Sequence, residues 1–209
     1  MKKLLTIFTA VFLFNVLFVC LSFSQSSINP FNHQHPQTII GKILTSAEQQ
    51  TQYTLYYDPA YIKLKYPGGD VSLERGVCSD VIVRAFRAAD IDLQKEVHED
   101  MAANFSAYPK RWGLKTPDTN IDHRRVANLM TYFKRKGYEL DITKDPKQYK
   151  AGDIVAWELD NKLLHIGVVS DVSSTFDSSY QIIHNIGYGT KLEPKLFAWK
   201  IIGHYRLKD

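Results

Sequence analysis

The sequence predicts an α+β fold, with helices in the first part of the chain and an antiparallel sheet in the second. Two observations carry this. Up to Gly137, apolar residues recur at helical spacing, as in Val81, Ile82, Ala85 and Phe86. Beyond it the pattern shortens to β-rich runs such as Ile154-Val155-Ala156-Trp157. A third observation bounds the class: 209 residues carry only two cysteines, Cys20 and Cys78. Such a chain builds one domain whose core holds without a disulfide framework.

The first element is a leader. Met1-Lys2-Lys3 is basic, Leu4 to Phe23 is almost continuously apolar, and Ser22-Phe23-Ser24 offers small residues for cleavage. This reads as a secretory signal peptide over residues 1–24, placing the mature chain in the periplasm, the cell envelope or the medium. The run is also long enough to span a bilayer, so an uncleaved leader is the one route to membrane contact. Val19 is too large for the residue before a lipidated cysteine, so Cys20 leaves with the leader. The formal charge of +4 includes Lys2 and Lys3. The mature chain is only mildly basic, which argues against a nucleic-acid partner and is compatible with an anionic polymer.

Residues 25–54 form an N-terminal extension. Its polar start, with His33 and His35, reads as a solvated tail, and Ile43 to Thr54 as a helix. Residues 55–209 are the main domain. Tyr56-Tyr57-Asp58-Pro59 and Lys65-Tyr66-Pro67-Gly68-Gly69-Asp70 are turns around an extended piece. Helices follow over 78–89, 93–105 and 122–136; Asp122 caps the last and Gly137 ends it. Strands are expected at Ile154–Trp157, His165–Val169 and Gln181–His184, with further short strands ending near Arg206.

After loss of the leader, Cys78 has no thiol in the chain to pair with. It opens the helix that carries Val81 to Phe86. There, backbone N–H groups and the helix dipole favour thiolate over thiol. The competing reading is an inert, buried cysteine. A cysteine hydrolase also needs a histidine that takes and returns a proton, and a group that orients it. His165 starts one predicted strand and His184 ends another. Antiparallel pairing of these strands brings the two rings together, and Cys78 can join them at one edge of the sheet. Asn185 is an alternative orienter, since its carbonyl oxygen can accept an imidazole N–H.

Three segments carry a resemblance: Gly76-Val77-Cys78-Ser79-Asp80-Val81, Ala151-Gly152-Asp153-Ile154-Val155 and His165-Ile166-Gly167-Val168-Val169. Together they resemble the core of the NlpC-like cell-wall cysteine peptidases of the papain-like superfamily. Segments such as Asn120-Ile121-Asp122-His123-Arg124-Arg125-Val126 and Ile183-His184-Asn185-Ile186-Gly187 are similar to one uncharacterised bacterial branch of it. The resemblance spans about residues 55–207. It implies helices packed on an antiparallel sheet, with Cys78 as nucleophile, His165 as general base and His184 as third polar residue. It implies peptidoglycan stem peptides as substrate and no cofactor. The Cys78 backbone N–H is the candidate oxyanion donor.

Asp80, Arg124, Arg125 and Asn185 are candidate substrate-binding residues; arginine forks suit the free carboxylates of a peptide stem. An internal salt bridge is the plainer reading of the arginines. Two other functions compete. One is a cell-wall binding module of the same fold without turnover. The other is a metal-dependent hydrolase using His98, Asp100, Asp118, Asp122 and His123, although their spacing matches no standard zinc motif. Tyr108, Trp112 and Tyr188 are aromatic residues able to line a groove.

Overall fold

The computed structural model describes Phe31 and residues 34–208. The leader, Cys20 and His33 lie outside the described residues. No helix among the described residues is long and apolar enough to cross a membrane.

Four helices precede the main sheet: α1 (Ile39–Tyr53), α2 (Cys78–Ala88), α3 (Leu93–Ala103) and α4 (Val126–Arg135). Two short strands, β1 (Tyr56–Tyr57) and β2 (Arg75–Gly76), pair in parallel just before α2. The main sheet comprises β3 (Ile154–Glu158), β4 (Leu164–Ser173), β5 (Tyr180–Asn185), β6 (Thr190–Glu193) and β7 (Lys200–Tyr205). Its order is β6-β5-β4-β3-β7 and every pairing is antiparallel. This is an α+β architecture with one principal sheet.

Helix α2 is the centre of the molecule. Every residue from Cys78 to Phe86 is buried, so a helix that looks amphipathic by pattern is enclosed on all sides. Its apolar face packs with Leu129 and Phe133 of α4 and with Ala156, Ile166, Val168 and Ile183 of the sheet. Strand alternation sends the intervening residues the other way. Val155, Trp157, Val169 and Ile182 form a second cluster with Tyr149 and Leu196 on the opposite face.

Three sequence expectations need correction. Asp122 does not cap α4; it starts a short 3-10 turn over Asp122–Arg124, and α4 begins at Val126. The peptide N–H that Asp122 satisfies is that of Asp118. Helix α1 starts four residues early, at Ile39, because Thr38 caps it by accepting from the Gly41 N–H. His35 is not in a solvated tail. Its Nε2 lies 2.7 Å from Glu48 on α1, within the extension, and its Nδ1 lies 3.7 Å from Asp171 on β4, which links the extension to the domain.

Asp153, in the Gly-Asp-Ile-Val segment, ties the end of β7 to the start of β3. It accepts from His204 Nε2 at 2.7 Å and from the Arg206 guanidinium at 2.6 and 2.7 Å. Burial alone would raise its pKa, but these donors and the Lys150 N–H hold the carboxyl below its ordinary value.

Candidate active site

Cys78 is the first residue of α2 and lines an open cleft of about 330 Å³. One wall comes from Tyr57, which ends β1, and from Pro59 just beyond it. A second comes from Arg124, Arg125 and Val126, and a third from Trp112 and the tip of the β3–β4 hairpin at Lys162 to Leu164. Four cationic side chains reach this cleft (Arg111, Arg124, Arg125 and Lys162), and no carboxylate lines it.

The segment entering α2 is tightly fixed. Asp80 Oδ2 accepts from the Val77 N–H at 2.7 Å, turning the chain back on itself. Gly76 permits this, because a Cβ there would stand 3.0 Å from that same oxygen. Asn185 Nδ2, at the end of β5, donates to the Gly76 carbonyl at 3.0 Å and more distantly to that of Tyr56. Ser79 Oγ donates to the Arg124 carbonyl at 2.6 Å. The Arg124 guanidinium grips Asp80 at 2.8 and 2.9 Å and donates to the carbonyls of Ala60 and Asp58. Arg124 and Asp80 therefore brace the cleft from behind, and both are buried. Arg125 leans over the Trp112 ring at 4.2 Å and bonds Asp122 at 3.2 Å, within the cleft wall.

The backbone N–H groups of Ile166, Ser79 and Cys78 all interact with the Cys78 sulfur. They favour thiolate, as expected at a helix N-terminus. Burial nevertheless outweighs them and pushes the thiol up to about 12, with Asp80 adding in the same direction. The resting sulfur is a neutral thiol, which corrects the expectation drawn from the helix dipole alone.

His165 is the second residue of β4 and His184 the fifth of β5. Register pairs Val168 with Ile183, so the two rings fall on the same face. His165 Nε2 and His184 Nδ1 are 2.7 Å apart. Gly167 makes room between them: a Cβ there would come within 3.1 Å of the His184 Cβ. Trp157 and Trp199 pack against the rings. Burial drives both imidazoles toward the neutral form, well below the ordinary 6.5. On the far side of His184, Glu193 Oε2 lies 3.1 Å from Nε2.

The structure thus brings Cys78 to the β4 backbone at Ile166 and joins His165 to His184, but the two rings lie with Trp157 on the sheet face opposite α2 and neither lines the Cys78 cleft, so the three side chains do not meet as the sequence reading expects. No hydrogen bond joins the sulfur to either ring among the described residues. Cys78 is 5% exposed, His165 2% and His184 0%. Asn185 bonds neither ring.

The proposed His98–His123 metal group does not assemble. Among the described residues, its members do not form a cluster of three ligand atoms. Asp100 instead accepts from Arg135 and Tyr108, and Asp118 from Tyr61 and Asn120. Among the described residues the one such cluster is His35, Glu48 and Asp171, where His35 already bonds Glu48. Tyr108 is buried and Tyr188 is exposed; of the three aromatics only Trp112 lines the cleft. Sequence reasoning missed Glu193 and Tyr57. Neither stands in a pattern that separates it from an ordinary surface residue.

A family model described as a domain of unknown function, DUF1287, matches residues 44–207. A curated relative, "Uncharacterized protein YijF" of Escherichia coli (strain K12), is 58% identical over 164 residues. That match covers 78% of this chain and 80% of the relative.

Proposed function

We propose a function for this chain, which belongs to the DUF1287 family: it is an exported cysteine hydrolase of papain-like, NlpC-like fold. It cleaves an amide bond in peptidoglycan stem peptides through a thioester acyl-enzyme. One observation carries the reading. A free thiol stands at the first turn of a buried helix, on a cationic cleft, against the strand residue that follows His165. His165 on that strand pairs with His184 on β5.

In this mechanism the Cys78 proton passes to His165 as the sulfur attacks the substrate carbonyl carbon. The resting site lacks the sulfur–imidazole hydrogen bond. Because the His165 ring lies on the sheet face away from α2, this transfer requires the ring or its strand to shift toward the sulfur when substrate binds. The carbonyl oxygen takes up charge, and the Cys78 and Ser79 N–H groups at the helix start are its donors. The C–N bond then breaks and His165 returns the proton to the leaving amine. Water, deprotonated by His165, hydrolyses the thioester and frees Cys78. Arg111, Arg125 and Lys162 supply positive charge for substrate carboxylates. Arg124 and Asp80 hold the cleft rather than the substrate.

A binding module without turnover is the second reading. The neutral thiol and the sealed rings favour it. Mass spectrometry of muropeptides after incubation with the purified protein separates the two. On the hydrolase reading new amines and carboxylates appear, and Cys78→Ala abolishes them. Undiminished release by Cys78→Ala would overturn the mechanism. Tight muropeptide binding with no release by either protein would establish the binding module.

A further inference from the structure

Strand β6 places one carboxylate at the closed end of the imidazole pair. Glu193 lies opposite Ile182 in the β5–β6 ladder, and His184 lies opposite Lys191. From there Glu193 Oε2 reaches to 3.1 Å from His184 Nε2. The contact is off the line of an ideal hydrogen bond, and that nitrogen has no hydrogen-bond partner. With His184 neutral and fully buried, the carboxylate acts on the Nε2 end of the ring as a charge on a dipole rather than as one half of an ion pair.

The proton between the rings has two arrangements. His165 Nε2 donates to His184 Nδ1, or the reverse, across the same 2.7 Å. Burial keeps both rings neutral, so each carries one N–H. In the first arrangement His184 carries its proton on Nε2, facing the carboxylate, and His165 is left with a bare Nδ1. In the reverse arrangement the lone pair of His184 Nε2 faces Glu193, and His165 Nδ1 is already protonated. A carboxylate only accepts hydrogen bonds, so it stabilises the first and repels the second.

We propose that Glu193 is a positioning residue: through His184 it selects the tautomer of His165 whose Nδ1 is unprotonated and able to receive the Cys78 proton. The catalytic consequence rests on the hydrolase reading above. The tautomer assignment does not, because it concerns the resting protein. Glu193 is only partly buried and belongs to neither hydrophobic cluster.

The test uses the full mature chain with ¹⁵N-labelled histidine and long-range nitrogen–proton correlation spectra at pH 7. The wild type is expected to show His165 and His184 both protonated on Nε2. Glu193→Ala should populate the Nδ1-protonated forms, whereas Glu193→Gln, whose amide oxygen can still accept, should restore the wild-type pattern. On muropeptide, Glu193→Ala should lower kcat by about tenfold or more with KM unchanged, as expected for a base held in the wrong tautomer. Nδ1 protonation in the wild type, or an Ala spectrum identical to it, overturns the proposal. The expected spectra in a wild type that turns over nothing would uphold the tautomer assignment and overturn its catalytic role.

Discussion

Asp80 and Arg124 close a two-pronged ion pair, at 2.8 and 2.9 Å, two residues along the helix from Cys78. Both side chains are almost wholly buried. The pair ties the start of α2 to the turn before α4. Through the carbonyls of Asp58 and Ala60 it also ties in the wall that carries Tyr57 and Pro59.

Removing one partner leaves a buried, uncompensated charge. Arg124→Ala should therefore lose about 3–5 kcal/mol of stability in urea unfolding. Asp80→Ala/Arg124→Ala together should lose clearly less than the two single losses summed, since neither charge is then stranded. Additive losses would show that the pair does not act as a unit.

The neutral state of Cys78 sets its chemistry in the free protein. With the thiol pushed up to about 12 by burial, native Cys78 should react with iodoacetamide at pH 7 more slowly than the same residue in urea. The native rate should climb continuously as pH is raised. Rapid native labelling at neutral pH would refute the buried, neutral assignment. Slow labelling is compatible with the proposed turnover, in which His165 would remove the proton only as the sulfur attacks.

Three buried histidines make the fold sensitive to mild acid. Burial holds His123 down to about 4, and it holds His165 and His184 below their ordinary value as well. In the unfolded chain each titrates near 6.5. Below that pH the unfolded chain binds protons that the fold excludes, so stability falls. This stabilisation is fully present above pH 6.5 and is lost as pH drops through about 4. Thermal midpoints should be level above pH 7 and decline between 6.5 and 4, with a shallower decline in His123→Gln. A midpoint constant across that window would contradict the account.

Gly167 should tolerate no side chain. A Cβ there would lie 2.7 Å from Ile182 Cγ2 and 3.1 Å from the His184 Cβ. Gly167→Ala should lose about 1–3 kcal/mol from overpacking. It should also shift the ring resonances of His184, while Gly137→Ala, where the added atom meets nothing within 4 Å, should leave them in place. Unchanged His184 resonances in Gly167→Ala would show that β4 and β5 have more freedom than their packing indicates.

Much of the architecture was legible because periodicity is a local property. Helix α2 starts at Cys78 and β4 and β5 pair antiparallel, as apolar spacing and β-rich runs indicate. The meeting of His165 with His184 follows from that pairing alone. The start of α4 was not legible. Asp122 is a good capping residue by type, but its carboxylate turns to the Asp118 N–H instead. The same limit hid the Asp80–Arg124 pair, whose members stand 44 positions apart.

The sequence by itself determined the α+β order of elements, the Cys78 thiol at a helix start and the two strand histidines, because each is encoded in a short run of residues. Only the tertiary structure decided the charge state of that thiol, the partner of Arg124 and the place of Glu193 beside His184. Desolvation and ion pairing depend on which distant segments enclose a group. Those enclosures exist only after α2 has been buried between the sheet and the other helices.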